Sequence, residues 1–155
     1  DFEKYIKTIV GKNQLVDVLY YNASLKQGVN PRRFKEQQKL LARLGKISKC
    51  KIILCKRQKR FSKDDEEYYT IKGDDIHLAL DMLNHAWENQ YDKAILISGD
   101  GDFSQLVKYV KDKKKEVEMI SFDKLASRNL INEVDRCIFI DKKIANKFFY
   151  RGKNK

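Results

Sequence analysis

The fold is decided by the segment KAILISGDGDFSQLVKYVKDKKKEVEMISF (93–122). Its apolar start, KAILIS (93–98), is bounded by the turn-forming run GDGD and predicts a short buried strand. Apolar residues at helical spacing then predict a helix over about 103–113, and VEMISF (117–122) predicts a second strand. A strand, a helix and a strand in this order are typical of a parallel sheet whose crossover helix covers one face.

The flanking sequence continues the same alternation of helices and strands. Further helices are predicted over 1–10, 31–44, 74–89, 123–132 and 142–150, further strands over 15–23, 49–56 and 137–140, and an irregular or hairpin-like segment over 56–70. This alternation predicts an α/β fold, with a central and mostly parallel sheet flanked by helices in three layers. Because neither a repeat nor a domain boundary is evident, we expect one domain over 1–155, with a basic tail at 151–155.

The charge of the chain indicates an anionic partner. The 155 residues include 33 Lys and Arg against 22 Asp and Glu, which gives a net charge of +11. Such a field attracts polyanions, so nucleic acid is the first candidate partner and an anionic membrane surface the second. Lysine enrichment in a thermophilic or AT-rich source would also raise the charge without any ligand.

Cysteine usage and hydropathy indicate a cytoplasmic protein. The three cysteines, Cys50, Cys55 and Cys137, are too few and odd in number for a disulfide framework, so we expect reduced thiols. No run approaches the roughly 18–20 apolar residues that span a bilayer, and no signal peptide opens the chain. We therefore expect a cytoplasmic protein without a membrane span.

An acidic turn follows the predicted strand 93–98. Ligands of open α/β sheets bind beyond the carboxyl ends of the strands, which is where Asp100 and Asp102 are expected. Two carboxylates this close repel each other unless a divalent cation neutralises them. Oxygen ligands with few histidines nearby favour Mg²⁺ or Mn²⁺ over Zn²⁺. Ser98 has no evident His or Asp partner, so we expect it to bind a metal water or a phosphate.

A second acidic group opens the helix predicted after residue 73. Asp74 and Asp75 stand at its start, and Asp81 lies seven residues past Asp74, on the same face. Together with the acidic turn, they would hold metal ions that activate water for phosphodiester hydrolysis. The alternatives are helix capping by one of the first two residues and simple solvation of Asp81.

Two basic segments are candidate contacts with a phosphate backbone. The run KRQKR (56–60) leaves a predicted strand at its carboxyl end, and a second basic pair opens the helix 31–44. The basic residues concerned are Lys56, Arg57, Lys59, Arg60, Arg32 and Arg33. Nearby aromatic residues would stack on unpaired bases, although burial explains them equally well. Solvation alone is the alternative for each basic run.

The segment KGDDIHLALDMLNHAWENQYDKAILISGDGDFSQLVKYVKDKKKEVEMISF (72–122) resembles the core signature of the NYN domain, in the LabA-like group of the PIN-like nuclease superfamily. The signature runs from Lys-Gly-x-Asp through a Leu-Ala-x-Asp helix to Ser-Gly-Asp-x-Asp-Phe. Asp75 and Asp81 match its first two elements, and Ser98, Asp100 and Asp102 match the third. The resemblance implies a PIN-like fold with metal-dependent ribonuclease activity, or RNA binding alone in members that have lost activity.

One element of that family is not found between residues 1 and 155. Its domains open with a strand of the form hydrophobic-Ile-Asp-x-x-Asn, which supplies a metal-binding carboxylate, whereas Asp1 opens what resembles the next helix. We expect residues that precede Asp1 to supply this strand, and the alternative is that the fold and the activity are compromised without it.

Residues and resemblance together predict a Mg²⁺- or Mn²⁺-dependent ribonuclease acting on RNA. Its catalytic and metal-binding residues would be Asp75, Asp100 and Asp102, with Asp74 and Asp81 as lesser metal ligands and Ser98 in support. A non-catalytic RNA-binding regulatory module is the main alternative, and a phosphatase or 5′-nuclease acting on DNA is the weaker one. Assembly into a homo-oligomer stays open.

Overall fold

Six strands form two three-stranded sheets in the computed structural model, which describes residues 1–148. The chain divides into two compact units. The small unit comprises residues 10–78, and the large unit comprises residues 1–9 together with residues from 79 onward. Each unit contains one of the sheets, so the predicted α/β class is confirmed. A single central sheet stays a prediction.

The helices and strands are numbered in chain order. The helices are α1 (Phe2–Val10), α2 (Pro31–Leu44), α3 (Asp74–Trp87), α4 (Ser104–Asp112), α5 (Arg128–Glu133) and α6 (Lys142–Phe148). The strands are β1 (Val18–Ala23), β2 (Cys50–Phe61), β3 (Glu67–Lys72), β4 (Lys93–Leu96), β5 (Glu116–Ser121) and β6 (Arg136–Phe139). Single turns of 3₁₀-helix cover Gly101–Phe103 and Asp123–Leu125.

The sheet of the small unit is built around β2, whose two halves have different partners. Residues 50–55 pair in parallel with β1, and residues 56–61 pair antiparallel with β3. The segment 56–70, predicted as irregular or hairpin-like, therefore forms a hairpin. The strand predicted over 49–56 extends to Phe61, because a second strand supplies hydrogen-bond partners that the polar sequence does not reveal.

Helix α2 crosses between β1 and β2, and two polar side chains fix it. The Asn30 side chain accepts a hydrogen bond from the Arg33 backbone N–H at 2.9 Å, and Pro31 occupies the first turn. Gln37 is buried and donates from Nε2 to the Ala23 carbonyl at 2.8 Å. Its Oε1 accepts a hydrogen bond from the Leu25 backbone N–H, also at 2.8 Å. Both polar atoms of the amide are thus satisfied.

The sheet of the large unit is parallel throughout, with β5 between β4 and β6. The side chains of Val117, Met119 and Ile120 on β5 are fully buried. Asp135 ties this strand to the neighbouring helix: its carboxylate accepts from the Val117 backbone N–H and from Lys111 Nζ, both at 2.8 Å. The core of this unit therefore centres on β5.

Several predicted ends differ from the observed ones. β4 ends at Leu96, two residues before the predicted end at Ser98. The helix predicted over 123–132 is a 3₁₀ turn followed by α5. The last predicted helix is described as far as Phe148, and the basic tail at 151–155 lies outside the described residues.

Candidate functional site

The segment SGDGD (98–102) forms a tight loop directly beyond the carboxyl end of β4. The Asp100 backbone N–H donates to Ser98 Oγ at 3.2 Å. The Asp100 carboxylate in turn accepts from the Asp102 backbone N–H at 3.0 Å and caps the 3₁₀ turn. This places both carboxylates at the ligand-binding edge of the parallel sheet, as predicted.

Both glycines of the loop are needed for space. A Cβ atom at Gly99 would lie 2.6 Å from Ser121 Oγ and would also collide with the carbonyl oxygen of Leu125. A Cβ atom at Gly101 would lie 2.6 Å from Ser127 Oγ. The Ser127 backbone N–H donates to the Gly99 carbonyl at 2.8 Å, which joins the two loops. The acidic loop is therefore held by close packing against residues 121–127.

The two carboxylates of this loop are exposed and carry no compensating cation. No salt bridge within residues 1–148 involves Asp100 or Asp102, although the chain has a net charge of +11. Carboxylate oxygens are the ligands that Mg²⁺ and Mn²⁺ prefer, and Mg²⁺ is usually held by one or two carboxylates together with water and substrate phosphates. The donor set of the loop therefore fits an open divalent-ion site.

The described residues do not provide a closed metal site made of protein side chains alone. In the part of the chain that the structure describes, no group of three or more His, Cys, Asp or Glu side chains is arranged to hold a metal ion. The fit is accordingly limited to an ion that takes most of its ligands from water and from a bound phosphate.

The second acidic group lies on α3. Asp74 and Asp75 occupy its first turn, directly after Gly73, where their charge interacts favourably with the helix dipole. Burial raises the pKa of the Cys55 thiol, and the nearby Asp74 and Asp75 carboxylates raise this pKa further. Asp81 is half-buried, seven residues past Asp74. Asp74 and Asp75 belong to the small unit, whereas Asp81 and the acidic loop belong to the large unit.

The basic residues predicted to contact RNA fall into distinct environments. Arg32 pairs with Glu36 at 3.2 Å, and Lys59 pairs with Glu67 at 2.6 Å. Arg33 and Arg57 line one cavity of about 160 Å³. The two remaining residues, Lys56 and Arg60, are exposed on the face of the hairpin opposite Arg57.

The NYN domain model matches residues 1–141. The chain belongs to the NYN domain family. This family falls in the PIN-like nuclease superfamily, whose members generally use divalent metal ions. The predicted resemblance is thus confirmed, together with its coarse association with nucleic acid.

Two known proteins are similar to this chain. The low amplitude and bright protein LabA of Synechococcus elongatus is 29% identical over 125 residues, which cover 81% of this chain and 62% of LabA. The chain thus spans less than two thirds of the length of LabA. A solved structure of a Vibrio parahaemolyticus protein of unknown function has a TM-score of 0.68 at 24% identity, covering 92% of this chain and 79% of that one. This likeness shows the fold.

Two aspartates that were not predicted as site residues lie at the same edge of the sheet. Asp123 and Asp141 stand two residues beyond the ends of β5 and β6, at the same edge of the sheet as the loop after β4. Asp141 accepts from the Ile144 backbone N–H at 2.6 Å and so stabilises the start of α6. Asp123 is exposed. The sequence signal that could have identified both residues is an aspartate directly after the end of a predicted strand.

Membrane insertion of a helix was not expected from the sequence. Within residues 1–148, every helix is too short or too polar to cross a bilayer. Cys50, Cys55 and Cys137 are free thiols in the structure.

Proposed function

We propose that this NYN domain is a metal-dependent ribonuclease that hydrolyses RNA phosphodiester bonds. The observation that carries the proposal is the closely packed loop after β4, which presents the exposed carboxylates of Asp100 and Asp102 at the edge where parallel sheets bind ligands. Asp75 is the third proposed catalytic ligand, with Asp74 and Asp81 as lesser metal ligands and Ser98 in support. The ion would be Mg²⁺ or Mn²⁺.

The protein side chains have separate roles in this proposal. Asp100 and Asp102 bind the ion, and the packed loop holds their backbone in place. Ser98 Oγ accepts from the Asp100 N–H, so its own hydroxyl proton remains available to a phosphate oxygen. When bound, a divalent ion supplies activation of the attacking water and stabilisation of charge on the phosphate. The basic residues of the segments 32–33 and 56–60 bind the RNA backbone.

The test is cleavage of a labelled single-stranded RNA with Mn²⁺, Mg²⁺ or EDTA. The variants are Asp100→Asn and Asp102→Asn, because asparagine removes the charge at nearly constant size and, at position 100, keeps an oxygen that accepts the hydrogen bond from the Asp102 backbone N–H. The matched control is Asp112→Asn, an exposed aspartate at the end of α4. We expect roughly 100-fold or greater loss of cleavage in the two loop variants and no loss in the control.

Direct binding of Mn²⁺ gives an independent measurement. Paramagnetic broadening of backbone NMR signals should be strongest around residues 98–103 and should weaken in both loop variants. Cleavage that persists in EDTA, or that survives both substitutions, would contradict the ribonuclease proposal.

A non-catalytic RNA-binding regulatory module is the second candidate. The observation that favours it is that residues 1–148 contain no three-ligand metal group. This candidate predicts salt-sensitive RNA binding that EDTA does not change, with no cutting under any metal condition.

We also propose that residues 1–155 form a single NYN domain with one central, mostly parallel sheet, located in the cytoplasm. A crystal structure in which the two three-stranded sheets remain separate would contradict the single sheet.

A further inference from the structure

Two basic segments that are distant in sequence meet at one cavity of the small unit. The cavity has a volume of about 160 Å³ and is lined by Leu25, Lys26, Val29, Asn30, Arg33 and Arg57. Three of these residues are cationic and none is acidic. In the sequence, Arg33 and Arg57 belong to two separate basic runs, whereas in the fold both residues line the same cavity.

The three cations of the cavity form no ion pair with the residues that the structure describes. None of the salt bridges formed within residues 1–148 involves Lys26, Arg33 or Arg57. The adjacent Arg32, by contrast, is paired with Glu36 at 3.2 Å. The positive charge around the cavity is therefore available to an anion from solution.

The local structure orients these cations. The Arg57 guanidinium carbon lies 4.5 Å above the centre of the Tyr69 ring, and this cation–π contact holds the side chain in place. Arg33 stands in the first turn of the 14-residue helix α2, whose N-cap is Asn30. The positive end of this helix dipole therefore points to the same place as the side chains.

The cavity also has an apolar wall, which a bare phosphate would not need. Leu25 is half-buried, and Val29 is 53% exposed in spite of its apolar side chain. The volume of about 160 Å³ is well below the roughly 300–1,000 Å³ of pockets for drug-sized ligands, so the cavity has room for one small group. Its lining combines two apolar residues with three cations, which suits a ligand with an apolar part and an anionic part.

We propose that this cavity binds one nucleotide of single-stranded RNA. The base lies against Leu25 and Val29, and the flanking phosphates contact Lys26, Arg33 and Arg57. Single-stranded RNA fits because its bases are free to leave the stack, whereas those of a duplex are not. This inference rests on the proposed function for the identity of the partner, and it names the residues that hold that partner.

The experiment measures binding of a short fluorescein-labelled oligouridylate by anisotropy, in EDTA to prevent cleavage. Arg33→Gln and Arg57→Gln should each weaken binding roughly tenfold, as expected for loss of a charged hydrogen bond. Lys39→Gln and Lys46→Gln remove a positive charge from exposed positions of the same unit, outside the cavity and outside the predicted RNA contacts, and should leave the affinity within about twofold.

The salt dependence separates phosphate contacts from base contacts. Loss of one phosphate contact should make the plot of log affinity against log salt concentration shallower by about 0.7. Val29→Ser should weaken binding at every salt concentration without changing this slope, because it removes apolar contact and no charge. A duplex of the same length should bind at least roughly tenfold more weakly than the single strand.

The possible results distinguish failure of the cavity proposal from failure of the ribonuclease proposal. Equal losses in the cavity variants and in the two control variants, or equal affinity for duplex and single strand, would overturn it. Normal binding by Arg33→Gln and Arg57→Gln, beside RNA cutting by the wild type, would overturn the cavity and leave the ribonuclease proposal intact. Wild-type protein that neither binds nor cuts RNA would overturn both. Far-UV circular dichroism and urea midpoints confirm that each variant is folded.

Discussion

Gly99 offers the sharpest test of how the acidic loop is held. Substitution by alanine adds a single methyl group, which would lie 2.6 Å from Ser121 Oγ and would collide with the backbone carbonyl oxygen of Leu125. The φ angle of Gly99 lies outside the left-handed region, so alanine is compatible with the backbone conformation itself. Any loss of stability therefore reports space rather than conformation.

The size of the expected loss in stability depends on which of the colliding groups can move aside. Overpacking of a dense region costs about 1–3 kcal/mol, and a backbone oxygen cannot turn aside as a side chain can. Moving the loop 121–127 away would stretch the 2.8 Å hydrogen bond from the Ser127 N–H to the Gly99 carbonyl, worth about 1 kcal/mol. We expect Gly99→Ala to lower the free energy of unfolding by about 3 kcal/mol.

Gly101→Ala is the matched control. Its methyl group would meet the Ser127 hydroxyl at 2.6 Å and the Ser127 Cβ at 3.1 Å. The hydroxyl can adopt another rotamer, so the expected loss is smaller, at about 1 kcal/mol.

Urea unfolding followed by far-UV circular dichroism measures both losses, with unchanged m-values as the sign that the unfolded state is unaffected. A loss of about 3 kcal/mol corresponds to a fall in Tm of about 6–12 °C for a chain of this size. A Gly99→Ala variant within about 0.5 kcal/mol of wild type, or one more stable than Gly101→Ala, would refute the close packing of the two loops.

Two further predictions concern buried or paired polar groups. Gln37→Met removes both hydrogen bonds of a buried amide at nearly constant volume, so the free energy of unfolding in urea should fall by about 2 kcal/mol, and an unchanged value would contradict the role of that amide. Lys111 and then the Val117 backbone N–H lower the pKa of the Asp135 carboxyl. Its stabilisation is therefore present above the unfolded pKa of about 3.9 and is lost as the pH falls through the lower folded value. The Tm difference between wild type and Asp135→Asn should narrow below about pH 4, whereas a constant difference would show that the pair does not stabilise the fold.

The elements of the large unit were predictable because their signals are local. The strand that ends in Leu96 is short, apolar and bounded by the Gly and Asp residues of the loop, so neither helix nor loop competes as an interpretation. The position of Asp100 and Asp102 followed from the rule that parallel strands place ligands beyond their carboxyl ends. Predicting the position of these two residues required only the order of helices and strands along the chain.

The small unit was less predictable because its decisive features are non-local. β3 has the sequence EYYTIK, whose polar surroundings hide a strand that exists only by pairing with β2. The cavity required Arg33 and Arg57 to meet, which depends on tertiary packing of two segments 24 residues apart. Helix spacing alone does not distinguish Arg32 from Arg33, because both lie within reach of Glu36, and only the folded structure shows that Arg32 forms the ion pair.

The divided pairing of β2 sets an order of events in folding. Its second half finds β3 across the short turn 62–66, whereas its first half must find β1 across the crossover 24–49. The entropy lost on closing a loop grows with its length, and hairpins form within about 1–10 μs, so local pairing comes first. Pulse-labelled hydrogen exchange should protect amides of residues 56–61 before those of β1, and simultaneous protection would exclude this order. The basic hairpin of β2 and β3 would then form first, and β1 would pair with it afterwards.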